Sequence, residues 1–226
     1  FRLYGIENES DVRALEVKAD GIEGTSFLLV TPRGSVRARL PVAGRHNLYN
    51  ALASAAAADY LGAPLEAIAD RLGSVSSSRM RGEVVRFAEG FSIIDDSYNS
   101  NPRALVEMAA TMCGDSSCRR RIVVAGEMLE LGEAGAALHR EAGQKIAELG
   151  VDVLIGVRGL ARELVEGARH AGLNAGSAVF CETVDEAASL LEGEAREGDL
   201  ILVKGSRGVK TETIVERMRQ RREVKA

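Results

Sequence analysis

Four short segments of this chain carry residue types that could do chemistry. The first is Asp95-Asp96-Ser97-Tyr98-Asn99-Ser100-Asn101-Pro102, which follows an apolar run at residues 91–94. Asn101 is suited to cap a helix and Pro102 to be its first residue. A plain strand–cap–helix turn explains those two. It leaves two adjacent aspartates, a tyrosine and a second asparagine unexplained, so a functional reading stands beside the structural one. The second segment runs from Val123-Val124-Ala125 into Gly126-Glu127-Met128-Leu129-Glu130-Leu131-Gly132. It places two carboxylates after a strand, at a glycine that permits close backbone approach. An ordered strand-to-helix connection would look the same. The third is Lys204-Gly205-Ser206-Arg207-Gly208-Val209-Lys210. Backbone N–H groups at a helix start, with Lys and Arg beside them, suit a carboxylate or a phosphate. A solvated basic turn is the alternative. The fourth is Gly44-Arg45-His46-Asn47-Leu48-Tyr49-Asn50. Asn47 and Asn50 are three apart and share a helix face. Their amides both donate and accept, as a base edge such as adenine requires. One capping and one solvated asparagine would give the same pattern.

The elements that hold these segments fall into two parts. Residues 12–20 have a mixed β pattern. Residues 26–40 read as a hairpin turning at Pro32-Arg33-Gly34. An alanine-rich helix spans 47–61 with Gly62 as its C-terminal cap. Pro64 opens a second helix to about residue 72. The small polar stretch 73–78 reads as a linker. From about residue 81 strands alternate with helices: strands at 83–87, 91–94, 121–125, 151–156, 177–181 and 199–204, helices at 102–113, 135–149, 158–171, 184–195 and 210–221. Thr183 with Glu186 forms a capping-box pattern. The alternation implies an α/β fold, a mostly parallel sheet flanked by helices. In such sheets ligands bind beyond the carboxyl ends of the strands. Three of the four segments lie there. The charged end, 217–226, is expected to fray.

Composition removes several classes of function. The chain has 226 residues, 46% of them hydrophobic and 27% charged, which is enough for a packed core. No apolar run reaches the length of a membrane span, and no charged-then-apolar leader opens the sequence. Aromatics are 4%, Trp is absent and the net charge is −4, which disfavour nucleic-acid binding. The cysteines, Cys113, Cys118 and Cys181, are odd in number and form no CxxC pair, as expected of free thiols in a reducing cytoplasm. With His46, His139 and His170 scattered, no zinc-ligand spacing arises. Twenty-four of the 29 basic residues are Arg, a compositional bias rather than a motif.

Together the four segments resemble one family, the Mur ligases, which form amide bonds with ATP to build the peptide stem of peptidoglycan. The loop at Asp96–Pro102 resembles the family's DSYN-x-NP signature, Gly126–Gly132 its G-[DE]-MLELG segment, Lys204–Arg207 its KGSR segment, and Gly44–Asn50 its G-x-HN-x-x-N helix start. Order and spacing agree along essentially the whole chain. These versions of the motifs point to the member that joins D-alanyl-D-alanine to UDP-N-acetylmuramoyl-tripeptide. The diaminopimelate- or lysine-adding sibling, with DYAHTP in the loop, ranks second. Ser100 stands where Ala is usual, and Thr211 where Met is common.

The resemblance implies two domains: residues 1–80 as the C-terminal part of the central ATP-binding domain, and 81–226 as the Rossmann-like C-terminal domain. The N-terminal domain and the P-loop are not in this sequence, which has no Gly-Lys pair. The sequence therefore reads as a piece of a longer protein that opens mid-domain at Phe1. ATP and Mg2+ are the implied cofactors, with the metal ligands outside this sequence and none within it. Asn47 and Asn50 would contact adenine, Arg81 the nucleotide phosphates, and Asp96 the ribose. Arg79 is a rival to Arg81, whose spacing from Asp96 fits better. Arg81 and Asp96 are the catalytic candidates. Tyr98 would border ATP. Asn99 and Asn101 would border ATP and the incoming dipeptide, and Ser206 and Arg207 would meet its carboxylate. His46 receives no metal role. The implied reaction proceeds through an acyl phosphate and a tetrahedral intermediate, with the C-terminal domain acting as a lid. A cytoplasmic monomer that is inactive in isolation is expected. The alternatives are a non-catalytic binding module of the same fold, a folylpolyglutamate synthetase relative, and a dinucleotide enzyme. The last is disfavoured by the absence of G-x-G-x-x-G after a strand.

Overall fold

A computed structural model describes residues 1–225. The chain forms two compact units, Phe1–Ser77 and Ser78–Ala226. The division falls within the small polar stretch read as a linker.

The first unit is a four-stranded sheet backed by two helices. Its strands are β1 (Tyr4–Gly5), β2 (Val12–Ala19), β3 (Thr25–Thr31) and β4 (Gly34–Leu40), in that spatial order. β3 and β4 pair antiparallel from Thr25↔Leu40 to Thr31↔Gly34, which is the expected hairpin. Alternation along β3 buries Thr25, Phe27, Leu29 and Thr31 on one face. Helices α1 (Arg45–Tyr60) and α2 (Leu65–Gly73) cover that face with Leu48, Leu52, Ile68 and Leu72. Gly62, at φ 83°, ends the first helical segment as expected.

The second unit is the expected α/β layer structure. Its strands are β5 (Glu83–Arg86), β6 (Ser92–Asp96), β7 (Arg120–Gly126), β8 (Val153–Val157), β9 (Ala178–Cys181) and β10 (Asp199–Lys204). Their spatial order is β5-β6-β10-β7-β8-β9, and only β5 runs antiparallel to its neighbour. The last strand is thus inserted between the second and the third. Every residue of β10 is buried, as a central strand of a parallel sheet requires. Helices α6 (Val184–Glu194) and α7 (Glu212–Arg221) pack one face, through Leu191, Ile214 and Met218 onto Ile93, Ile122 and Ile201. Helices α3 (Pro102–Cys113), α4 (Gly135–Glu148) and α5 (Ala161–His170) lie on the other, with α3 against β7 and β10 and α5 against β8.

Three local expectations need adjustment. Helix α5 begins at Ala161 rather than 158, because Arg158 takes a left-handed conformation (φ 65°) and Gly159 follows at φ 46°. The capping box at Thr183 is present, but the Glu186 carboxylate accepts from the Glu182 amide, one residue earlier than the motif specifies. The charged end is tied down through Lys225. Beyond α7 the Ala88 amide donates to Glu223 O (2.8 Å), the Lys225 amide donates to Arg86 O (2.8 Å), and Val224 bridges Phe87. Arg217 and Arg221 pair with Glu192. Backbone pairing and ion pairs hold a segment that charge alone marked as loose. Ala226 lies outside the described residues.

Candidate active site

Inserting β10 between β6 and β7 brings the loops that follow all three strands to one edge of the sheet. These are the loops of the first three sequence segments. Hydrogen bonds lace them together. Ser206 is 4% exposed, and its hydroxyl accepts from the Leu129 amide (3.0 Å) and donates to Ser100 O (3.4 Å). The Ser206 amide donates to Glu127 O (3.3 Å). Gly126 and Gly205 face one another here. A Cβ on Gly126 would meet Thr211 Cγ2 at 2.8 Å and Gly205 Cα at 3.2 Å. The close approach anticipated at Gly126 is therefore between protein segments.

Asp96 and Lys204 are register partners at the ends of β6 and β10. Lys204 Nζ lies 2.6 Å from Asp96 Oδ2 and also donates to Asn99 O (2.9 Å). Asp95, one residue earlier, faces the opposite side. Its carboxylate accepts from the Ser97 hydroxyl (2.5 Å) and amide (3.3 Å). Burial raises the Asp95 carboxyl above its ordinary range, and the Ser97 bonds act against that shift. The two adjacent aspartates thus divide: Asp95 shapes the turn, and Asp96 stands at the site.

Tyr98 is exposed and carries two guanidiniums. Arg81 Cζ lies 3.9 Å and Arg207 Cζ 5.5 Å from its ring centroid. Arg79 is elsewhere, paired with Glu216 at 2.9 Å. The Asn99 side chain accepts from the Ser100 amide (2.8 Å). Asn101 caps α3 through the Ala104 amide (2.9 Å), which leaves its NH2 group available. Glu127 is a helix cap from a distance, its Oε1 accepting from the Leu160 amide ahead of α5 (3.0 Å).

Backbone strain marks the same edge. Among the described residues of the second unit, the non-glycine residues with positive φ are Met80 (66°), Glu130 (65°), Arg158 (65°) and Lys210 (64°). Three follow β7, β8 and β10. The fourth accepts the Tyr98 amide at its carbonyl (3.1 Å). Such conformations cost of order 1–3 kcal/mol each and gather at functional sites.

The asparagine pair lies in the first unit. Asn47 and Asn50 line a cavity of about 420 Å³ between α1 and α2, floored by Leu40, Val42, Ala55 and Ile68. Asn47 Nδ2 donates to Ala43 O (2.7 Å), so its oxygen is what it can offer a ligand. The Asn50 side chain makes no protein hydrogen bond among the described residues. An apolar slot with one accepting and one two-way amide suits a purine.

The model of the Mur ligase glutamate ligase domain matches residues 80–207, and that of the Mur ligase middle domain matches residues 1–58. The chain belongs to the Mur ligase family. Within it, the chain is 31% identical to the UDP-N-acetylmuramoyl-tripeptide--D-alanyl-D-alanine ligase of Bacillus subtilis over 95% of this chain and 46% of that protein. It is 35% identical to the Escherichia coli enzyme of the same name, over 87% and 42%. A crystal structure of MurF from Acinetobacter baumannii superimposes with a TM-score of 0.81 at 30% identity, covering 95% of this chain and 46% of that one. The chain spans about half the length of the curated relatives it matches.

Two residues of this candidate site escaped the sequence reading. Lys204 was visible as part of a motif, but its pairing with Asp96 depends on the strand order. A lysine closing an otherwise apolar buried strand was the available signal. His139 is fully buried in α4. Its Nδ1–H donates to Gly135 O (2.7 Å) and its Nε2 accepts from the Met128 amide (2.9 Å), holding the loop after β7. No sequence pattern marked it. Among the described residues no helix is long and apolar enough to cross a membrane, and no group of three or more His, Cys, Asp or Glu could hold a metal ion.

Proposed function

We propose that this chain is the C-terminal portion of an ATP-dependent ligase that joins D-alanyl-D-alanine to UDP-N-acetylmuramoyl-tripeptide. One observation carries the reading: three motif loops, far apart in sequence, meet at one strained edge around the Asp96–Lys204 pair. The names of the Bacillus and Escherichia relatives support the choice of substrates. Residues 1–80 are then the tail of the central ATP-binding domain and 81–226 the C-terminal domain. The setting is the cytoplasm and the state a monomer.

Each unit, taken by itself, carries residues that fit part of a nucleotide. Asn50 reads a base edge in both directions and Asn47 offers an acceptor, above an apolar floor. Asp96 keeps one oxygen for a ribose hydroxyl while Lys204 holds the other. Arg81, on Tyr98, supplies positive charge for phosphate. The free amide of Asn101, with Asn99, faces the incoming dipeptide. Ser206 acts as a brace beneath them, its hydroxyl being buried and engaged. ATP, when bound with Mg2+, supplies the phosphoryl group that activates the tripeptide carboxyl. No step is assigned to the metal through residues of this chain.

The test joins the upstream half of the Bacillus subtilis relative to Phe1 and follows phosphate release. The expected result is release that requires D-alanyl-D-alanine and the tripeptide substrate and is lost in Asp96→Ala. Ligand-observed NMR on the chain by itself should show ADP and D-alanyl-D-alanine binding, with no ATP turnover. Absence of dipeptide-dependent release would overturn the reading, whether or not the ligands bind.

A further inference from the structure

Most arginines of this chain are matched to a carboxylate. Arg120 meets Asp199, Arg217 meets Glu192, and Arg219 meets Glu83. Arg81 and Arg207 are not. Among the described residues neither has a carboxylate partner. Both lie over the Tyr98 ring, with Cζ atoms 3.9 and 5.5 Å from its centroid. Two like charges sharing one ring repel, and the face of the ring offsets part of that. An oxyanion between them would remove the repulsion.

The surroundings hold the three side chains in place. The Tyr98 amide donates to Met80 O (3.1 Å), which fixes the tyrosine backbone to the residue before Arg81. Met80 itself sits at φ 66°. Arg207 Nη1 reaches Met80 Sδ (3.5 Å), and Ser206, the residue before Arg207, is locked by its hydroxyl and amide. A tyrosine ring has few torsions to freeze, and a stacked guanidinium keeps its N–H fork free for two parallel bonds to an oxyanion.

We propose that Arg81, Tyr98 and Arg207 form one clamp for a single phosphoryl group, with Tyr98 as the positioning residue that presents both guanidiniums to it. Arg207 then acts on phosphate alongside Arg81 rather than on the dipeptide carboxylate. The proposal rests on the ligase reading for the identity of the phosphoryl compound, and on the geometry for the site itself. Inorganic pyrophosphate serves as the probe.

The experiment titrates the purified chain with pyrophosphate, and separately with acetate, at constant ionic strength. It follows the arginine Nε–Hε signals by NMR and the heat by calorimetry. The expected result is saturable pyrophosphate binding that shifts two arginine signals, with acetate much weaker. Arg81→Gln and Arg207→Gln should each weaken it by about fivefold or more, because each removes a charge-assisted pair. Tyr98→Phe should retain it, since the ring remains. Tyr98→Leu should weaken it about as much as losing one arginine. Melting curves confirm that each variant is folded. Pyrophosphate binding unchanged in Arg207→Gln, unchanged in Tyr98→Leu, or absent in the parent chain overturns the clamp. Pyrophosphate binding of the expected kind, with no dipeptide-dependent turnover in the fused protein, overturns the ligase reading and leaves the clamp standing. Turnover in a fused Arg207→Gln variant with an unchanged KM for ATP overturns the clamp and leaves the ligase reading standing.

Discussion

Lys204 and Asp96 close two parallel strands with a single ion pair, Nζ to Oδ2 at 2.6 Å, their side chains 5% and 13% exposed. The same ammonium holds Asn99 O. Removing one partner strands the other charge where water is scarce, and that loss exceeds what the pair contributes when intact. Lys204→Met is therefore expected to destabilise the chain by about 3 kcal/mol, read from urea unfolding midpoints. Adding Asp96→Asn should restore much of that loss, because no charge is then left unpaired. A single variant as stable as the parent would show that water already solvates Asp96.

That pair also shows where sequence reading stops. The β-strands and helices were legible, because apolar runs, Gly62 in the first unit and Pro102 in the second are local signals. Asn101 announced its capping bond with Ala104 by type and position. The strand order was not local. Nothing near residue 204 says that the last strand enters between β6 and β7, and the Asp96–Lys204 contact exists only because it does. By its motif Ser206 is expected to meet the dipeptide carboxylate, yet its hydroxyl is buried and bonded to Leu129 and Ser100, which arrive from two other loops. The candidate site was visible as a set of loops, while its internal bonding was not.

His139 should give the chain a stability that depends on pH. Burial lowers its pKa, and the bond to Gly135 O offsets this only in part. The folded state therefore resists the proton that the unfolded state accepts. Stability is full above the unfolded pKa, about 6.5, and falls as pH drops below it. Protonation would also convert the acceptor facing the Met128 amide into a donor. Urea midpoints compared between about pH 7.5 and 5 should decline more steeply in the parent chain than in His139→Gln. Equal slopes would remove His139 from the account.

Two glycines let α4 and α5 touch backbone to backbone. A Cβ on Gly143 would strike Leu164 O, and one on Gly167 would strike Arg140 O. Gly143→Ala or Gly167→Ala should cost about 1–3 kcal/mol or more, since a packed helix pair can only separate. Gly193, inside α6, has nothing within 4 Å of an added Cβ. There the same change should stabilise by about 0.4–1 kcal/mol, by restricting the unfolded chain. Opposite signs in thermal melting would confirm the contrast. Ala also has the higher helix propensity, so a loss at Gly193 comparable to that at Gly143 would overturn the packing account.

The segment after α7 covers an edge of the second sheet. β5 is the outermost strand, and residues 223–225 pair with its last residue and the two that follow, through Arg86–Lys225, Phe87–Val224 and Ala88–Glu223. Exposed strand edges recruit other chains, and a short charged segment laid along one is a common protection. Removing residues 222–226 would leave the Ala88 amide without its carbonyl partner and open that edge beside the buried Phe87. The truncated chain is expected to melt lower by an amount typical of one or two lost hydrogen bonds, about 1–2 kcal/mol. It should also scatter more light on standing at high concentration. Lowered stability without added scattering would mean that the segment braces the fold but does not guard the edge, because the charged residues of β5, Glu83 and Arg86, already suffice for that.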